Sequence, residues 1–169
     1  MLFPKKYLSL HWINNCNEYK FEREMIKRPY ERLLEHNIKP SMQRIAIMEF
    51  LMEHPIHPSA DDIYTALSPS MPTLSKTTVY NTLKLFSEQG AAQMLTIDDK
   101  NVNFDADTSP HAHFLCKCCG RIYDLEVPQA VKTVEEQEME GHEVTEVHYY
   151  YKGICKNCLS NKDKEITID

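Results

Sequence analysis

No stretch of the 169-residue sequence approaches the roughly 18 consecutive apolar residues of a membrane span. The opening MLFPKKYLSLHW also lacks the sustained apolar run of a signal peptide: its two lysines are followed by a short apolar stretch that ends at His11 and Trp12. A cytoplasmic protein is expected. The sequence also has no excess of positive charge; its net charge is −6, the wrong sign for a nucleic-acid binder if spread evenly. It is not spread evenly. Residues 25–95 carry seven Lys/Arg and seven Asp/Glu, whereas residues 96–169 carry eight against fifteen. Acidity sits in the C-terminal half, so the balance excludes nucleic acid from that half only.

What is present is cysteine, six of them. In a cytosolic chain, where thiols stay reduced, metal ligation is a better first reading than disulfides. Hydrophobic residues make up 42% of the sequence, enough for one medium domain or two small ones that need help to be stable alone.

From Met25 the pattern turns helical, with Ile26, Tyr30, Leu33 and Leu34 in a first burst that runs to about His36. Ser41 offers an N-cap to a second, with Ile45, Ala46, Met48, Phe50 and Leu51 as its apolar stripe, ending near His54-Pro55. Ser59 caps a third, with Ile63, Tyr64 and Leu67 inward, and Ser75 caps a fourth, with Val79, Leu83 and Phe86 inward and Gly90 at its end. Two strand-like pieces follow, Ala92–Ile97 and Asn101–Asp105, around a turn at Asp98–Lys100. Helices and then a hairpin is the order of a winged helix-turn-helix, whose recognition helix would be Ser75–Gln89. On it Thr77, Thr78, Tyr80, Asn81 and Lys84 are candidate DNA contacts, with Lys39, Arg44 and Lys76 as further phosphate contacts. So few cations per subunit require a dimer on a two-fold related site.

Thr108-Ser109-Pro110 reads as a hinge. Beyond it strands are expected near His113–Cys116, Arg121–Leu125 and Glu143–Tyr151, with a helix around Gln129–Glu140. The expected fold class is α+β: an N-terminal winged helix-turn-helix domain (25–106), a hinge (107–110) and a C-terminal α/β dimerisation and zinc domain (111–160). Residues 1–24 form an extension and 161–169 a tail.

Cys116-x-x-Cys119 and Cys155-x-x-Cys158 are two knuckles, each of which turns two sulfurs toward one metal. Together they complete a closed four-cysteine zinc site, structural because no coordination position stays open. The rival, a thioredoxin-like redox pair, requires a C-x-x-C at the head of a helix, a context neither knuckle displays in the sequence. Cys118 is surplus, and Cys16 lies in the extension.

His111-x-His113 puts two imidazoles on one face of a strand, with Asp105 six residues upstream of the first. An ordinary strand pair is the bland reading; ligation is the sharper one. Asp61 and Asp62 suit the start of a helix, Glu135–Glu140 reads as a solvated helix face, and Tyr149–Tyr151 as sheet.

KPSMQR (Lys39–Arg44), HPSADDIY (His57–Tyr64) and SKTTVYNTLKLF (Ser75–Phe86) resemble the DNA-binding half of the ferric uptake regulator superfamily. NFD (Asn103–Asp105), HAHFLCKCCGRIYDL (His111–Leu125) and YYYKGICKNC (Tyr149–Cys158) resemble its dimerisation half. The pattern is most similar to the peroxide-sensing branch. That resemblance implies a regulatory metal held by His57, Asp105, His111, His113 and Asp124, a mixed nitrogen and oxygen set suited to Fe(II) or Mn(II). It implies a metal-dependent repressor in which Fe(II) and peroxide oxidise His57 or His111. Ala112 stands where many iron sensors carry an acid between the two histidines, which argues against a third metal, and His148 falls near a further family ligand position. An iron-responsive regulator uses nearly the same ligands; a zinc-responsive one would be expected to add a cysteine. A metalloenzyme would need an open coordination position and a general base, and no unassigned Glu or His stands beside the motif, so no enzyme is expected.

Overall fold

Serine side chains begin three of the helices, as the sequence leads one to expect. The computed structural model describes residues 28–127, 142 and 146–165. A first helix, α1, covers residues 28–35. Ser41 caps α2 (Met42–Glu53) by accepting from the Arg44 amide. Ser59 and Asp62 form a reciprocal capping box on α3 (Ala60–Leu67), so Asp62 does more than suit the helix dipole. Ser75 caps α4 (Lys76–Glu88) through the Thr78 amide. After α4, Gly90 takes φ +70°, the left-handed conformation that suits glycine at a helix end.

The chain divides into two units: residues up to Met94 with Phe104–Asp107, and Leu95–Asn103 with Thr108 onward. The core of the first is built from Leu33, Ile47, Met48, Ile63, Val79, Leu83 and Phe86, all fully buried, capped by Phe104 from the hairpin. Each such side chain contributes about 1.5–3 kcal/mol of hydrophobic stabilisation. Two expected stripes are corrected here. In α1 only Leu33 of the described apolar positions turns inward, while Tyr30 and Leu34 are exposed; Ile26 lies outside the described residues. In α2 the fully buried side chains are Ile47, Met48 and Leu51; Ile45 and Phe50 only flank the core.

The hairpin strands β1 (Gln93–Leu95) and β2 (Asn103–Asp105) pair with each other and are shorter than expected. Asp98 makes the intervening turn, accepting from the Lys100 amide and the Asn101 side chain. In the second unit β3 (Ala112–Cys116) lies between β4 (Ile122–Leu125), antiparallel to it, and β5 (Tyr150–Gly153), parallel to it. The expected strand at Glu143–Tyr151 is displaced toward the C-terminus, and its residues 143–145 lie outside the described residues, as does the expected helix at 129–140. Helix α5 (Lys156–Glu165) was not expected. Among the described residues no helix is long and apolar enough to cross a membrane.

Candidate metal centres

The first centre is made of sulfur. Cys116 ends β3, and Gly120, at φ +72°, lets the chain turn back so that its amide meets the Cys116 carbonyl at 2.8 Å. Cys155 stands immediately before α5, its carbonyl accepting from the Leu159 amide. The second knuckle therefore does open a helix, contrary to the sequence reading. What decides against a redox pair is the company it keeps: Cys116, Cys119, Cys155 and Cys158 bring their sulfurs within 4.8 Å of one another. The Cys116–Cys158 and Cys119–Cys155 sulfurs are 3.9 Å apart. Zn–S bonds of about 2.3 Å in a tetrahedron require an S–S edge of about 3.8 Å. The four cysteines thus fit a structural zinc.

Their surroundings favour thiolate at Cys116 and Cys155 and oppose it at Cys158. The Cys116 thiol is pulled down to about 6, chiefly by the backbone N–H of Cys119 and then by that of Cys155, which reaches its sulfur at 3.2 Å. Cys155 is lowered first of all by the neighbouring hydroxyl of Tyr123, and the Cys155 sulfur in turn pushes Tyr123 up to about 12. Cys158 is raised, mainly by its hydrogen bond with Cys155. Tyr123 is a residue that the sequence did not single out. It lies on β4, beside the strand that carries Cys116. Cys118 is exposed and outside the four-sulfur group. Cys16 lies outside the described residues.

The remaining ligand candidates form one donor group in each unit. In the first unit, His57 Nε2 lies 3.7 Å from Asp105 Oδ2, and both residues are buried. His57 has φ +53°, a conformation that costs a non-glycine residue about 1–3 kcal/mol and clusters at functional sites. The Phe104 amide donates to the carbonyl of Pro58, tying β2 to the His57 loop. In the second unit, His113 is in register with Asp124 on the neighbouring strand. Asp124 Oδ1 lies 3.5 Å from His111 Nε2 and 3.8 Å from His113 Nε2, and the two Nε2 atoms are 3.0 Å apart. Cis donors on bonds of about 2.1 Å stand about 3 Å apart. His111 Nδ1 donates to the Ser109 carbonyl at 2.8 Å, which fixes the tautomer with the lone pair on Nε2.

The candidate DNA contacts are also local to the first unit. Thr77, Tyr80, Asn81 and Lys84 recur at helical spacing on the exposed face of α4. Thr78 is half-buried, and its hydroxyl lies 2.8 Å from the Ser75 cap. Lys76 pairs with Asp61 at 2.8 Å over the Tyr64 ring, and Lys84 lies 3.7 Å from Glu88. Arg44 donates to the Lys39 carbonyl. A shallow groove of about 400 Å³ joins Lys39, Arg44, Thr78 and Asn81, and adds Gln43, which the sequence reading passed over.

Residues 35–152 match the model of the ferric uptake regulator family. The chain belongs to that family. Its members are metal-responsive transcriptional regulators. A peroxide-responsive repressor, PerR, of Staphylococcus aureus is 38% identical over 128 residues, covering 75% of this chain and 86% of that protein. The fold is shared with the ferric uptake regulator of Pseudomonas aeruginosa, solved with manganese (24% identity, TM-score 0.61, 76% of this chain and 98% of that one). It is shared equally with that of Francisella tularensis, solved with iron (24% identity, TM-score 0.59, 72% and 95%). The α+β architecture is that of a ferric uptake regulator family protein, and the four clustered cysteines are consistent with a structural zinc site.

Proposed function

We propose that this chain is a metal-dependent repressor that binds operator DNA as a homodimer and senses peroxide. Its regulatory metal, Fe(II) or Mn(II), is held jointly by His57, Asp105, His111, His113 and Asp124. The observation that carries this reading is the His111–His113–Asp124 group: two imidazoles with facing Nε2 atoms, one tautomer fixed, and a carboxylate in register. Mixed nitrogen and oxygen donors suit these metals as the four thiolates do not. The peroxide-responsive reading is supported by the Staphylococcus aureus relative and by Asp105 and Ala112 standing where many iron sensors carry acids of different length or an additional acid.

The five ligands come from both units. Occupancy therefore favours one arrangement of the two, and the metal acts as a ligand that selects the DNA-competent state. His113→Ala should leave zinc at its normal content and abolish the manganese dependence of binding to a labelled operator duplex, read by fluorescence anisotropy. Equal manganese dependence in the variant and the parent rejects the site.

Asn81 and Lys84 should behave differently from each other. Lys84→Ala, on a phosphate, is expected to weaken binding to all sequences and to lower the salt slope by about 1. Asn81→Ala, on a base edge, is expected to cost about 1–3 kcal/mol and to relax specificity at one position. Unaltered binding in both variants would remove α4 from the groove.

A further inference from the structure

The carboxylate of Asp105 is held by a relay that begins on a different helix. Its Oδ1 accepts from the Asp107 amide at 2.9 Å, and its Oδ2 is the atom that faces His57 Nε2. The Asp107 N–H belongs to the same planar peptide unit as the Ala106 carbonyl, so the direction of one sets the direction of the other. That carbonyl accepts from Arg32 Nη2 at 2.9 Å. Arg32 stands on α1, far away in sequence, and its Nε and Nη2 also approach the Ala91 carbonyl at 3.4 Å. Ala91 precedes β1 and Ala106 follows β2, so one half-buried guanidinium grips both ends of the hairpin base. Gln93 completes the anchorage by donating to the Asp107 carbonyl at 2.9 Å.

We propose that Arg32 is a positioning residue for the ligand Asp105, acting through the Ala106–Asp107 peptide; this rests on the reading of Asp105 as a regulatory-metal ligand. A cation on the carbonyl end of a peptide polarises its N–H end, which strengthens the hydrogen bond to Oδ1. With Oδ1 committed, Asp105 presents Oδ2 to a metal in a restricted orientation and loses less rotamer freedom on binding. The planar fork of arginine reaches two carbonyls at once, which a lysine ammonium on a flexible stem does not reproduce.

The test is a double-mutant cycle on zinc-loaded, full-length protein, with manganese affinity read from the EPR signal of unbound Mn(II). Arg32→Met keeps the aliphatic stem and removes the guanidinium. It should weaken manganese binding about tenfold or more, as loss of an outer-shell partner does. In an Asp105→Ala background the same change should have no further effect, because the group it positions is gone. Zinc content should stay normal throughout. If Arg32→Met does not fold, Arg32→Lys runs the same cycle with the charge retained and the fork lost. An unaltered affinity, or an equal loss in both backgrounds, overturns the proposal. If Asp105→Ala alone leaves manganese affinity untouched, the metal reading of that residue falls, and this inference falls with it.

Discussion

Cys116→Ser and Cys158→Ser are each expected to yield a zinc-free protein that no longer dimerises. The reason lies in how little else holds the second unit together. The contiguous hydrophobic cluster belongs to the first unit throughout, from Leu33 to Phe104. Among the described residues of the second unit the fully or nearly buried set is short, and it includes Cys116 and Cys155 themselves. A sheet of three short strands with so small a core does not stand alone. A closed structural zinc site supplies folding free energy on the order of 10 kcal/mol at neutral pH, far more than the unit's apolar burial leaves in surplus. Removing one of four thiolates removes most of that. Zinc content by atomic mass spectrometry and molar mass by light scattering check the outcome together. The helical signal of the first unit should survive, since its core does not use the metal. A variant that stays dimeric without zinc would falsify the structural role.

Peroxide should separate the iron form from the manganese form of the same protein. The Fe(II)-loaded protein is expected to release its operator within a micromolar hydrogen peroxide pulse and to gain one oxygen on the peptide that contains His57 or His111. Iron held by these residues would supply the redox chemistry: one hydrogen peroxide would give one oxygen atom to a ligand imidazole and leave as water. His57 is buried in the first unit beside Asp105, and His111 lies 3.0 Å from His113. An oxidised imidazole is a poorer donor, so the residues would hold the metal less well and the DNA-competent state would be lost with it. The manganese form should keep both its mass and its DNA. Peptide mass spectrometry and anisotropy on the two forms decide this. An iron form that keeps its DNA and its mass gives way to the iron-responsive reading. Release from both forms points instead to thiol oxidation, with exposed Cys118 the first thiol to follow.

The N-terminal half was legible because its signals are local. A serine before an apolar run names a cap, and Ser41, Ser59 and Ser75 all cap. The cysteine spacing was legible for the same reason, since a C-x-x-C turn carries its own geometry. What escaped was non-local. Nothing in the order of residues says that β5 joins β3 on the side opposite β4 and runs parallel to it. Helix α5 is polar along most of its length and has no apolar stripe to announce it. In α2 the rival stripes Ile45–Phe50 and Ile47–Leu51 are both available, and only packing against α3 and α4 chooses between them. Arg32 makes its hydrogen bonds to carbonyls far away in the chain, and no spacing rule finds such pairs.

The two knuckles have a consequence for the order of synthesis. Cys116 and Cys119 leave the ribosome well before Cys155 and Cys158, and the strand that pairs with β3 comes from that late segment too. Through most of translation the early sulfurs have no partners, and β3 has only β4 beside it. The helical domain, whose contacts are nearer in sequence, is free to fold in that interval. A nascent or truncated chain ending before residue 158 lacks at least one of the four sulfurs. Zinc binding by all four sulfurs would therefore act as a completion check: only chains translated through the second knuckle carry the full ligand set.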